Sequence, residues 1–176
     1  MRKAYFKAML RIETVTSQSK IFSTIRTLYE QTFPANERIP EKNLFDTAHG
    51  REFLAFFDQD IFVGFLNALT DFHLTNILYL AVPAKLRGQG YGSQILKQMA
   101  ERHPKEKIVV DVEAISPKAN CAERIRRKRF YLQNGFAESP VRYTWRGEDY
   151  ELLVFNGTVS QKEFSAFWER ILGRKI

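Results

Sequence analysis

Apolar residues recur along this chain with two different periods. At Ile21, Ile25, Leu28 and Tyr29 they follow i, i+4, i+7 and i+8, the stripe of an amphipathic helix that begins near Ser19 and ends before Pro34. The segment "FPANERIP" carries two prolines and reads as a loop, followed by a short helix around residues 42–47 before Gly50. Three extended runs come next, at residues 52–58, 61–69 and 73–82. The polar breaks "DQD" and "TD" between them suit turns, so the runs predict an antiparallel meander.

The helical period returns after residue 90. Gly92, Leu96 and Ala100 line one side of a helix with Tyr91, Ile95 and Met99 beside them, while Lys97, Gln98, Glu101 and Arg102 fall elsewhere. This helix should pack on the sheet. A strand at residues 107–113, the irregular stretch "AISPKAN" and a helix over residues 121–134 follow, with Gly135 as its C-cap. Strands at residues 142–146 and 150–155 predict a hairpin across "GED". Phe164, Phe167, Trp168, Ile171 and Leu172 then give a last helix, docked by aromatics. With no repeat and no linker, the pattern predicts an α/β or α+β fold with a mixed sheet.

Composition narrows the function classes only slightly. At 176 residues and 44% hydrophobic, the chain suits one domain spanning residues 1–176. The start "MRKAYFKAMLRIE" has charges every few residues, and no apolar stretch approaches the roughly 20 residues that a membrane span needs. A soluble, unprocessed, cytoplasmic protein with no membrane partner is the expectation. Cys121 is the only cysteine, so no internal disulfide can form, and it reads as a buried, inert thiol. His49, His73 and His103 lack metal-ligand spacing, so no metal is expected. The net charge of +7 favours an anionic partner without choosing among nucleic acid, phosphorylated cofactor and membrane.

The chemistry is concentrated at residues 86–93, "LRGQGYGS", directly after the apolar run "ILYLAV". Glycines at 88, 90 and 92, between a strand and a helix, would present backbone N–H groups at the positive end of the helix dipole, an arrangement that binds phosphate. The dinucleotide fingerprint GxGxxG fails at Ser93, and the Gly-Lys pair of the P-loop is missing. What the stretch resembles is the acyl-CoA loop of the GNAT N-acetyltransferases, whose pattern Gln/Arg-x-x-Gly-x-Gly is met by Arg87, Gly90 and Gly92. Downstream, "RFYLQNGF" is similar to the family's helix carrying a tyrosine followed by Gly-Phe, and the order of elements agrees across residues 10–156. Two departures stand out: Pro83 follows Val82 directly, and the segment from Val112 to Tyr131 is longer than usual, which leaves the alignment around Asn120 open.

The resemblance implies a mostly antiparallel, mixed central sheet with a splayed strand pair, flanked by helices. It implies acetyl-CoA as cosubstrate, with the backbone of Leu80, Ala81 and Val82 pairing with the pantetheine arm. Arg87, Gly88, Gln89, Gly90, Tyr91, Gly92 and Ser93 would hold the pyrophosphate, with Lys85 and Arg87 as charge partners. Tyr131 becomes the general acid for the CoA thiolate, since a hydroxyl near the sulfur can donate a proton or a hydrogen bond. Either Glu113 or Asp111, on one face of the same strand, could take the amine proton. Glu30 and Glu37 fall in the acceptor region and read equally as solvated carboxylates, and an amine that arrives deprotonated needs no base.

The acceptor is then an amine attacking directly in a ternary complex, its identity and the oligomeric state left open. Two other readings remain: a non-catalytic acyl-CoA sensor, and a nucleic-acid-binding protein using "RIRRKR" at residues 124–129. Nucleic acid is not an expected partner, because five cations on one and a half helical turns cannot share a face.

Overall fold

The computed structural model describes residues 9–46, 50–116 and 121–173. Most of the charged start, Thr47, His49 and Asn120 lie outside these residues. The chain runs β1 (Arg11–Thr14), α1 (Phe22–Thr32), α2 (Glu41–Leu44), β2 (Arg51–Asp58), β3 (Ile61–Asp71), β4 (Leu74–Ala81), a 3-10 turn (Ala84–Leu86) and α3 (Tyr91–Arg102). It continues with β5 (Lys107–Glu113), α4 (Cys121–Gln133), β6 (Ala137–Trp145), β7 (Glu148–Phe155) and α5 (Gln161–Leu172). The strands form one sheet in the order β1-β2-β3-β4-β5-β7-β6. Every pairing is antiparallel except β4 with β5.

Both faces of the sheet are covered. Leu54, Phe56, Leu66, Ile77 and Val110 pack under Ile95 and Met99 of α3 and Tyr131 of α4. On the opposite face Phe53, Phe65 and Tyr79 meet Ile25, Leu28 and Tyr29 of α1, and farther along Val109, Leu152 and Val154 meet Phe164 and Phe167 of α5. This explains why the second strand reads as a continuous apolar run and not an alternating one. Helix α5 is fixed at its start by a capping box, in which Ser160 Oγ accepts from Glu163 N and the Glu163 carboxylate accepts from Ser160 N.

Three local features differ from the pattern-based expectation. Strand β1 had no periodic signal: it is four residues long, at the edge, with only Ile12 part-buried. Strand β6 starts at Ala137, not at residue 142, with its register broken between Glu138 and Arg142. Pro140 sits in that break, where the ladder loses no hydrogen bond to the missing N–H. The hairpin turn is Arg146–Gly147, with φ of 49° and 82°, so Glu148 and Asp149 belong to β7. Positive φ at both central residues matches the twist of a tight hairpin.

The feature that positions the site is the junction of β4 and β5. Their parallel pairing covers only Leu74–Ile77 against Lys107–Val110, after which β4 continues to Ala81 and β5 to Glu113 without partnering each other. Ala68 pairs with Ile77 and Asn67 with Tyr79, which leaves Leu78 as an extra residue on β4. Such a bulge bends its strand, and this one falls where the pairing with β5 ends. The expected splayed pair is therefore present.

Candidate active site

The loop at the mouth of the splay uses its glycines for two purposes. Gly88 and Gly90 have φ of 75° and 85°, and a Cβ at either would meet nothing within 4 Å. Left-handed backbone, not crowding, calls for glycine there. Gly92 differs, because a Cβ would stand 3.0 Å from Phe130 Cζ; its missing side chain lets α3 lie against α4. Helix α3 starts after Gly90 with no side-chain cap and no acidic residue in its first turn. The orphan amides of a helix start, at the positive end of its dipole, thus face a cleft lined by Gly90, Tyr91, Gly92 and Ser93.

Side chains hold this loop in place. Arg87 Nε donates to Val82 O at 3.1 Å, and Gln89 Nε2 donates to Lys85 O at 3.2 Å. Arg87 and Gly88 line the cleft, whereas Lys85 and Gln89 are not among its lining residues. The Tyr91 ring is buried in the core beneath α3, and its hydroxyl donates to Asp58 Oδ2 at 2.8 Å. Tyr91 thus anchors the loop through its side chain and meets the cleft through its backbone.

The cleft has a volume of about 1490 Å³ and passes along Leu80, Ala81 and Val82, through the splay, to the opposite face of the sheet. Tyr131 lines it from α4, with its ring packed edge-on against Phe130 and Phe136 at 5.1 and 5.4 Å. None of the described residues is hydrogen-bonded to the Tyr131 hydroxyl. Its pKa is pushed up to about 12, chiefly by burial, with Arg127 opposing and the charges of Asp111 and Glu113 adding.

Among the described residues four carboxylates line the cleft, Glu123 from the first turn of α4 and three others in different states. Glu113 is ion-paired with Arg127, which binds its Oε2. Glu37, in the loop after α1, has its pKa raised by burial and by Glu113, against the pull of Arg127 and Arg124. That loop is pinned by two tyrosines: Tyr79 Oη donates to Glu37 O at 2.8 Å, and Ile39 N donates to Tyr29 Oη at 3.0 Å. Asp111 is the first β5 residue past the last parallel pair. Its Oδ1 is buried without a hydrogen-bond partner, and burial pushes its pKa up to about 6 while Tyr143 and Asn76 pull the other way. Asn76 is fully buried beside it, with both side-chain polar atoms unpartnered. Glu30, by contrast, is exposed and lines a separate, smaller pocket of about 360 Å³.

Sequence reasoning saw the cation run on α4 but not its partners. Arg124 binds Ala114 O and Glu148, Arg127 binds Glu113, and Lys128 bridges Glu138 and Glu151. Asn76 and Tyr143 were missed entirely; only the fold, which sets both beside the Asp111 carboxylate, reveals them. Cys121 is half-buried, not fully buried, at the start of α4, with Sγ donating to Ser116 O at 2.8 Å. Among the described residues no helix is long and apolar enough to cross a membrane, and no group of His, Cys, Asp and Glu is placed to hold a metal.

A protein from Bacteroides thetaiotaomicron assigned to the GNAT acetyltransferases superposes with a TM-score of 0.74 at 23% identity, over 92% of this chain and 95% of that one. A GNAT acetyltransferase from Elizabethkingia anophelis with acetyl-CoA bound gives 0.58 at 20% identity, over 85% and 99%. An acetyltransferase from Bacillus subtilis in complex with CoA gives 0.58 at 17% identity, over 83% and 97%. At these identities the likeness is one of fold. Comparison with curated proteins gives no match. The model of the acetyltransferase (GNAT) domain, however, matches residues 49–138, half of the chain, including the splayed strand, the glycine loop and Tyr131, and the chain belongs to that family of acyltransferases.

Proposed function

We propose that this protein transfers an acetyl group from acetyl-CoA to a primary amine by direct attack in a ternary complex. The observation that carries the reading is a single cleft joining the uncapped start of α3, through the β4–β5 splay, to the half-buried carboxylate of Asp111. The pyrophosphate would sit on the amides around Gly88, Gly90 and Ser93. The pantetheine arm would pair with Leu80, Ala81 and Val82, whose β5-side edge lies beyond the parallel ladder while Leu66 and Phe65 of β3 hold the other edge. Two fold relatives contain CoA or acetyl-CoA, which fits that placement.

Asp111 is the preferred base. Glu113 is committed to Arg127, and giving up that ion pair would cost more than protonating a carboxylate that burial already drives toward its neutral form. The ammonium gives a proton to the Asp111 carboxylate. The neutral nitrogen then attacks the thioester carbonyl, the new C–N bond forms, the C–S bond breaks with its electron pair on sulfur, and the surplus proton on the nitrogen passes to the thiolate, leaving the amide and the CoA thiol. Tyr131 faces the leaving sulfur. A thiolate of ordinary pKa, about 8.5, is less basic than a tyrosinate at about 12, so Tyr131 helps mainly through a hydrogen bond that strengthens as charge develops.

Thiol release from acetyl-CoA in the presence of a primary amine tests the reading. Amine-dependent release that is lost in Asp111→Asn is the expected result. Release at the wild-type rate in that variant would remove Asp111 from the chemistry, and CoA binding with no transfer to any amine would favour the sensor. The ion pairs made by Arg124, Arg127 and Lys128 leave little of the α4 cation run for a nucleic acid.

A further inference from the structure

On the face of the sheet that carries Asp111, the covering helices leave a gap. The α1 side packs over β2–β4 and α5 over β5–β7, and the cleft continues between them over Leu69 and Leu78. Leu78 is the bulged residue of β4 and touches both packings. The far wall is α5, which turns Phe164, Trp168 and Ile171 to the cleft, a stripe at i, i+4 and i+7. Phe164 is buried, but Trp168 and Ile171 are only partly so, and apolar surface stays open.

Among the described residues charged side chains stand at both ends of this gap: Asp111, Glu113 and Glu37 at the inner one, and Arg51, with Asp46 acting on it, at the outer one. Arg51 Nη1 donates to Asn67 Oδ1 at 2.7 Å, and its Nε is buried without a partner. Arg51 pairs with Leu69, Leu69 with Asn76 and Asn76 with Val109, so it is three strands from β5, roughly 14 Å at the usual spacing. At the other mouth, Arg146 at the hairpin tip donates to Asn36 O and lies 4.3 Å over the Trp145 ring, which ties the β6–β7 hairpin to the loop after α1. A long polypeptide acceptor would have to pass under that tie.

We propose that the acceptor is a monocationic amine with an apolar body. This rests on the acetyltransferase reading above. The ammonium faces Asp111, the body lies on Leu78, Trp168 and Ile171, and Arg51 repels a second ammonium at the far end. A polycation would need several free carboxylates, yet Glu113 is paired with Arg127, Glu37 is driven toward its neutral form by burial and by Glu113, and the whole chain carries a net charge of +7. An apolar body instead gains by covering the open faces of Trp168 and Ile171.

The test is a comparison of kcat/KM for thiol release with 2-phenylethylamine and isoamylamine against spermidine, kanamycin and a tetrapeptide with a free N-terminus. The two monoamines should lead by about 100-fold, the range that a pocket matched or mismatched in apolar and polar contacts gives. Trp168→Ala should raise KM for 2-phenylethylamine about 10-fold more than KM for methylamine, while the CoA-induced rise in Tm stays. Arg51→Gln, which keeps a donor for Asn67, should narrow the gap to spermidine. Spermidine, kanamycin or the tetrapeptide matching the monoamines would overturn the proposal, as would a Trp168→Ala variant affecting all amines alike. If the monoamines fail while CoA still raises Tm, only the acceptor assignment falls; if CoA gives no rise, the acetyltransferase reading falls with it.

Discussion

As the proposed base, Asp111 has opposite consequences for stability and for activity. An aspartate in the unfolded chain titrates near about 3.9, and burial in the fold raises this one to about 6. The fold prefers its protonated form. Its favourable contribution is therefore complete below about pH 4 and is lost as pH rises through about 6. At pH 8 the buried carboxylate opposes folding, so Asp111→Asn should raise Tm there, with the gain shrinking toward pH 4. The same variant should lose activity, and wild-type kcat/KM should climb through a limb near pH 6 that the variant lacks. Tyr131→Phe deletes one oxygen and little volume, so it should lower kcat by about 10²-fold with little change in CoA affinity or Tm. Both residues were visible in the sequence, Tyr131 through the family-like motif and Asp111 through its alternation with Glu113. The choice between the carboxylates was not, because it turns on Arg127 reaching back from α4, 14 residues away.

At the scale of elements, the helices and central strands were legible because each buries a periodic stripe. What escaped was set by neighbours: β1 exists only as an edge pairing with β2, and the start of β6 only because β7 holds it past Pro140. Helix α5 shows how an element's end can matter to the site. Its Glu163 is held at about 2, first by Lys107 and then by the Ser160 backbone. A depressed carboxylate stabilises the fold above its unfolded pKa and loses that contribution as pH falls through its folded one. The Tm difference between wild type and Glu163→Gln should thus be full above pH 5 and vanish toward pH 2. Ser160→Ala should cost about 1 kcal/mol by removing the cap, read as a lower midpoint in chemical denaturation. Because α5 walls the cleft where the acceptor is proposed to sit, loosening it should raise KM for the amine and leave that for acetyl-CoA nearly unchanged.

For the whole molecule, the decisive fact is where the sheet opens. Hairpins join β2 to β3, β3 to β4 and β6 to β7, while β4 and β5 are parallel and joined by a crossover through α3. Only that junction can part at the carboxyl ends of its strands, where parallel arrangements place ligands. The glycine loop at that end was plain in the sequence, but the Leu78 bulge where the β4–β5 pairing ends is betrayed by no local pattern. The central claim is that this opening binds acetyl-CoA through the backbone at Gly90, and a thermal shift tests it most directly. Acetyl-CoA at 100 times its Kd should stabilise the wild type by about 2.7 kcal/mol. Gly90→Val, which forces a branched side chain onto a φ of 85° with open space around it, should leave the unliganded protein folded and abolish the rise in Tm. An undiminished rise in that variant would contradict the account.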